Sequence, residues 1–169
     1  MNSLFLPDEI NAESANTFIK ELLDILDTSP DGTIITIYIN SQGGDVYSSL
    51  GIIDIFQFAT KKGYIINTVN MGLAASMAAI ILMSGTPGYR SSFKDSTVLI
   101  HPISYTADGG FPKVKKEFFE LERLQKIINR VITENSSADC SLLTSEQSYI
   151  GTEDALKYNI IDKIIWFGK

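Results

Sequence analysis

Two side chains suited to acyl transfer stand in this sequence. The segment GLAASMAA carries Ser76 where strand-like residues give way to a run of small helix formers, and STVLIHPISY carries His101, the only histidine in 169 residues. A serine hydroxyl is a weak nucleophile until a base takes its proton, and imidazole is the side chain whose ordinary titration range lets it do so near neutrality. Ala74, Ala75, Ala78 and Ala79 leave the Ser76 hydroxyl little shielded. A helix beginning there would aim unpaired backbone N–H groups at negative charge, which a tetrahedral oxyanion requires. The same residues also read as a close-packed small-residue helix with Ser76 bonded to its own backbone, and His101 as a packed side chain. The Gly-x-Ser-x-Gly elbow of the α/β hydrolases is absent.

The stretch INSQGGDVY is a second candidate. Gly43 and Gly44 follow an apolar strand and lead into a helix, so the backbone can approach a ligand without Cβ interference. Neither Gly-x-Gly-x-x-Gly nor Gly-x-x-x-x-Gly-Lys is present, which argues against a nucleotide. An anion-stabilising loop across from Ser76 and a plain tight turn both stay open.

The elements that must position these residues alternate. NAESANTFIKELLDIL predicts an amphipathic helix capped by Asn11, with Phe18, Leu22, Ile25 and Leu26 on one face. TIITIYIN (33–40) reads as a strand buried on both sides. A helix through Ile52, Ile53, Phe56 and Ala59 and a strand at 64–69 follow, which implies parallel strands joined by a crossover. After a turn at NMG, a small-residue helix is expected from about Ala75 to Ser84, with strands at 89–93 and 96–100. A long helix from Pro112 to about Asn135, then a short helix ended by Asn159 and a final strand, complete the chain. No linker or low-complexity tract interrupts it, so a single α/β domain spanning 1–169 is expected.

Composition excludes several classes. The net charge of −6 and the lack of a basic run beyond Lys113, Lys115 and Lys116 argue against nucleic acid. The single cysteine, Cys140, cannot form an internal disulfide, which fits a reducing compartment. GLAASMAAIILMSG is shorter than the roughly 20 residues a membrane span needs, and no secretory signal opens the chain. A soluble cytoplasmic protein is expected. One histidine and one cysteine, with scattered carboxylates, make a metal site improbable, and acyl transfer needs no cofactor.

The segments IYINSQGGDVYSSLGIIDIFQF, GLAASMAAIILMSGTPGYR, STVLIHP and EDALKYNIIDKI resemble, in order, the four signature regions of the proteolytic subunit of the Clp protease, from Leu4 to the C-terminus. The resemblance implies a crotonase-like fold of repeated strand and helix units with a protruding handle. The head would be 1–101 and 136–169, and the handle about 102–135, with its helix at 112–135. It implies a serine endopeptidase acting on unfolded polypeptide inside a homo-oligomeric chamber of two stacked heptamers. Ser76 would be the nucleophile, His101 the general base, and the backbone N–H groups of Gly44 and Met77 the oxyanion hole. Gly43, Gly109 and Gly110 would border the substrate groove, the last two in a Gly-rich strand that pairs between rings.

Two positions depart from the family pattern. The third catalytic residue, an aspartate, falls at Gln147, with Glu146 as an alternative one residue earlier. A Gln carbonyl can accept the imidazole Nδ1–H but brings no charge to stabilise imidazolium, so weak activity is expected. The family's N-terminal pore segment is missing ahead of SLFLPDEI, which counts against partnership with a ring-shaped AAA+ unfoldase. Three competing readings remain: a non-catalytic subunit that assembles without cutting, a phage- or mobile-element-type processing protease, and, less well supported, an acyl-CoA crotonase of the same fold group.

Overall fold

The computed structural model describes residues 2–106 and 108–168. The Asn11 side-chain oxygen accepts from the N–H groups of Glu13 and Ser14, and the Ser14 hydroxyl accepts from the Asn11 N–H. This reciprocal cap satisfies donors that the start of a helix leaves unpaired. Helix α1 (Ala12–Thr28) follows two short strands, β1 (Ser3–Phe5) and β2 (Glu9–Ile10), and buries Ala15, Phe18, Leu22 and Leu26.

Strand β3 (Ile34–Ser41) leads through the two-residue β4 (Gly43–Gly44) into α2 (Val46–Lys61), and β5 (Ile65–Ala75) returns parallel to β3. Helix α3 (Met77–Met83) follows, then β6 (Arg90–Phe93) and β7 (Thr97–Ile100), both parallel to β5. The long α4 (Phe111–Asn135) is followed by α5 (Cys140–Ser145), β8 (Ser148–Gly151), α6 (Thr152–Lys157) and β9 (Lys163–Ile165). The sheet runs β1-β3-β5-β6-β9, all parallel. β7 joins it beside β5, and β8 is antiparallel to β7.

Strand β3 differs from the expected two-sided burial. Ile35, Ile37 and Ile39 are fully buried under the helices, whereas Ile34 is 48% exposed and Thr36 and Tyr38 are only half-buried. Helices α1, α2 and α3 contribute Phe18, Phe56 and Ile81 to the core on one side. The opposite side carries Phe5, whose ring lies 5.3 Å from that of Tyr38.

The expected NMG turn is instead a kink within one strand. Gly72 adopts φ 133, its N–H donates to Ser96 Oγ, and the Leu73 N–H donates to Asn40 Oδ1. β5 thereby changes neighbours, pairing with β6 at Thr68–Asn70 and with β7 at Leu73–Ala75. Its register with β3 slips between Ile39 and Ser41. The strand therefore carries on to Ala75 and delivers Ser76 at its end.

The second half of α4 packs on the core through Leu124, Ile128, Val131 and Ile132, while Phe111, Phe118 and Phe119 in its first half are exposed. Arg90 ties the C-terminal end of this helix down. Its guanidinium pairs with Asp162 at 2.6 Å and donates to the Asn135 carbonyl, and Asp162 also accepts from the N–H groups of Gly88 and Arg90.

Candidate active site

Ser76 stands between β5 and α3 at φ 54 and ψ −126. A non-glycine residue with positive φ carries strain on the order of 1–3 kcal/mol and persists where its surroundings over-determine it. Two contacts do so here. The Ser76 N–H donates to the Leu99 carbonyl at 2.8 Å, extending the β5–β7 pairing, and its carbonyl accepts from the Ala79 N–H at 3.0 Å. The hydroxyl makes no capping bond to the helix that follows. The reading of Ser76 as a self-bonded helix cap therefore does not hold: the side chain is half-buried and turned to a cavity.

His101 directly follows β7, the strand next to β5. Ser76 and His101 thus lie at the carboxyl ends of neighbouring parallel strands, where ligand sites of open α/β sheets form. Both line one cavity of about 80 Å³, together with Gly44, Met77, Ile103 and Ser104. His101 Nδ1 lies 2.6 Å from the Pro102 carbonyl oxygen. A carbonyl only accepts, so this contact holds the proton on Nδ1 and leaves Nε2 with the lone pair.

The loop opposite is shaped by its glycines. A Cβ on Gly43, at φ 85, would lie 2.5 Å from the Ala75 carbonyl and 2.9 Å from the Met77 nitrogen. One on Gly44 would lie 2.1 Å from the Ile10 carbonyl. The plain-turn reading of this pair is thereby narrowed, since Gly43 packs against the backbone that carries Ser76. The Gly43 N–H donates to Ser41 Oγ, and that hydroxyl donates to the Asp8 carbonyl. Gly44 and Met77 are the two expected oxyanion residues that reach the cavity. Met77 opens α3, so its N–H has no partner within the helix.

Gln147 immediately precedes β8, whose register pairs Ser148 with Ile100. One step further along this antiparallel ladder brings Gln147 opposite His101, on the same side as Tyr149. Its amide, however, donates to the Tyr149 hydroxyl at 2.6 Å, and the side chain is exposed. Glu146 is also exposed and ends α5 in extended conformation. Among the described residues, neither is the partner of the His101 ring. Gly109 and Gly110 lie at the start of α4, Gly110 as its N-terminal cap, and neither lines the cavity. Their segment forms no strand among the described residues of 101–110.

Two participants escaped the sequence reading. The Pro102 carbonyl carries no residue-type signal. Ser41 did carry one, since it continues the inward alternation of Ile35, Ile37 and Ile39, and a polar side chain there must be buried with a partner. No group of three or more His, Cys, Asp or Glu among the described residues is arranged to hold a metal. No helix of the described residues is long and apolar enough to cross a membrane.

The chain is similar over almost its whole length to known proteins. The Clp protease family model matches residues 1–167. The chain is 34% identical over 165 residues to the ATP-dependent Clp protease proteolytic subunit 1 of Prochlorococcus marinus, covering 96% of this chain and 83% of the relative. It is 36% identical to the ATP-dependent Clp protease proteolytic subunit of Bacteroides fragilis and 33% identical to that of Bacteroides thetaiotaomicron, covering 78% and 73% of those chains. The chain belongs to the Clp protease family, and its mixed α/β architecture is the crotonase-like fold of that family.

Proposed function

We propose that the chain is a serine endopeptidase of the Clp type that hydrolyses unfolded polypeptide. The observation that carries this reading is Ser76: strained at φ 54, uncapped, and in one cavity with His101. In the proposed reaction His101 Nε2 takes the hydroxyl proton as Ser76 Oγ attacks the scissile carbonyl. The resulting oxyanion is met by the N–H groups of Met77 and Gly44. Collapse expels the amine, which receives the proton from His101, and water hydrolyses the acyl-enzyme by the same two steps.

The Pro102 carbonyl stands in for the missing aspartate in one respect only. It fixes the productive tautomer, but as a neutral dipole it stabilises the imidazolium less than a carboxylate would. A lower turnover than a complete triad gives is the consequence. The exposed Phe111, Phe118 and Phe119 on α4 support assembly through the handle into two stacked heptamers, although an unfoldase partner has no comparable support. Analytical ultracentrifugation tests this, and a monomer at micromolar concentration would sink the chamber.

A second reading, a non-catalytic subunit, is favoured by one observation: the Gln147 amide is bonded to Tyr149. Fluorophosphonate labelling separates the two. A covalent adduct mapped to Ser76 and absent in Ser76→Ala supports the peptidase. No adduct between pH 7 and 9 supports the subunit that only assembles.

A further inference from the structure

A second and larger cavity, of about 410 Å³, adjoins the one that holds Ser76 and His101 and shares Gly44, Val46, Ile103 and Ser104 with it. Its walls are apolar, with Val46, Ile103, Leu121 and Leu124, and Tyr47 and Tyr105 stand at its sides. Three carboxylates reach it: Asp45, Glu117 and Glu120.

Two of the three are committed elsewhere. Asp45 caps α2 by accepting from the Ser48 N–H and hydroxyl. Glu120 accepts from the Arg123 guanidinium at 2.6 and 2.9 Å and from the Tyr47 hydroxyl at 2.6 Å. Arg123 and then Tyr47 hold its carboxyl down at about 2, so it stays charged and occupied.

Glu117 is different. Its Oε1 lies 3.7 Å from Nζ of Lys113, one helical turn away, and the lysine side chain is exposed, so the pair is long and solvent-screened on one side. Tyr105 stands beside this carboxylate in the cavity wall, and the nearby Glu117 carboxylate together with burial raises the phenol above its ordinary value. Oε2 is cut off from solvent and has no hydrogen-bond donor among the described residues. A carboxylate oxygen in that position is costly until a donor reaches it.

We infer that this cavity is a side-chain subsite for lysine or arginine, with the long apolar stem lying against Val46, Leu121 and Leu124 and the cationic head donating to Glu117. Sharing Gly44 with the catalytic cavity lets one substrate residue place its carbonyl at the oxyanion donors and its side chain in the subsite. The selected residue is therefore the one that contributes the scissile carbonyl. A leucine fills the apolar part but leaves Glu117 Oε2 without a donor, and a glutamate is repelled by the Glu117 carboxylate.

The subsite rests on the proposed peptidase activity, and the test separates the two. Fluorogenic peptides that differ only in lysine or norleucine before the scissile bond are compared by kcat/KM, since norleucine keeps the stem and removes the charge. A lysine preference of about tenfold or more, falling toward unity in Glu117→Gln and reversing for a glutamate peptide in Glu117→Lys, supports the subsite; tenfold corresponds to about 1.4 kcal/mol. Equal rates for lysine and norleucine, or a preference that persists in Glu117→Gln, overturn it. If no peptide is cut, the proteolysis reading fails, and the subsite is then decided by binding. Labelled peptides ending in lysine or norleucine are titrated against Ser76→Ala by fluorescence anisotropy, and equal affinities overturn the subsite.

Discussion

His101 Nδ1 lies 2.6 Å from the carbonyl oxygen of Pro102, its neighbour in the chain. Among the described residues the imidazole is thus oriented by backbone rather than by an acid, and Gln147, opposite it by extension of the β7–β8 register, is turned to Tyr149. Gln147→Asp places a carboxylate where it can take the Nδ1–H bond from Pro102. An increase in kcat of about tenfold or more is expected, because a charged partner stabilises the imidazolium formed during attack. Steady-state peptide hydrolysis measures it. An unchanged kcat, with activity still abolished in Ser76→Ala, would show that the carbonyl suffices.

Gly43→Ala is expected to lower kcat/KM at least about a hundredfold, the scale of losing an oxyanion donor. The added methyl meets the Ala75 carbonyl and the Met77 nitrogen, so it displaces the elbow itself. Fluorophosphonate labelling should slow in parallel. If labelling is slow only in Gly44→Ala, the loop acts through β2 and not through the elbow, since Gly44 abuts Ile10.

How far the sequence revealed this site depended on the kind of interaction. Strand and helix alternation placed Ser76 and His101 at element ends, because apolar periodicity reports which face is buried. It did not separate a turn from a kink at Gly72, since a positive φ serves both, and the difference lies in long-range bonds from Ser96 and Asn40. Strand β3 looked buried on both sides because Ile34 and Tyr38 are apolar too. Apolar residues on an uncovered sheet face leave the same pattern as residues beneath a helix. The orienting carbonyl of Pro102 was invisible, as every residue has a carbonyl and only the fold decides where it points.

Ser76→Gly is expected to stabilise the folded chain by about 1 kcal/mol while abolishing activity. Glycine accepts φ 54 without strain, and that relief of roughly 1–3 kcal/mol exceeds the 0.5–1 kcal/mol entropic cost of a flexible residue. Chemical denaturation compares the two proteins. A destabilised Ser76→Gly would mean that the hydroxyl contributes packing or bonds that outweigh the backbone strain.

Asp162 holds Arg90 and the N–H groups of Gly88 and Arg90, joining the end of α4 to β6. Removing the carboxylate in Asp162→Ala strands a largely buried guanidinium, which costs about 3 kcal/mol or more. Burial pushes the Asp162 carboxyl up, but the Arg90 hydrogen bonds and charge and the two backbone donors outweigh it and leave the group below its ordinary value. With the folded value below the unfolded one, this contribution is complete above about pH 4 and is lost as the pH falls through the folded value. Denaturant titrations from pH 7 to pH 2.5 should therefore show the Asp162→Ala deficit shrinking below about pH 4. A deficit constant across that range would mean that the ionised carboxylate is not what ties α4 to the sheet.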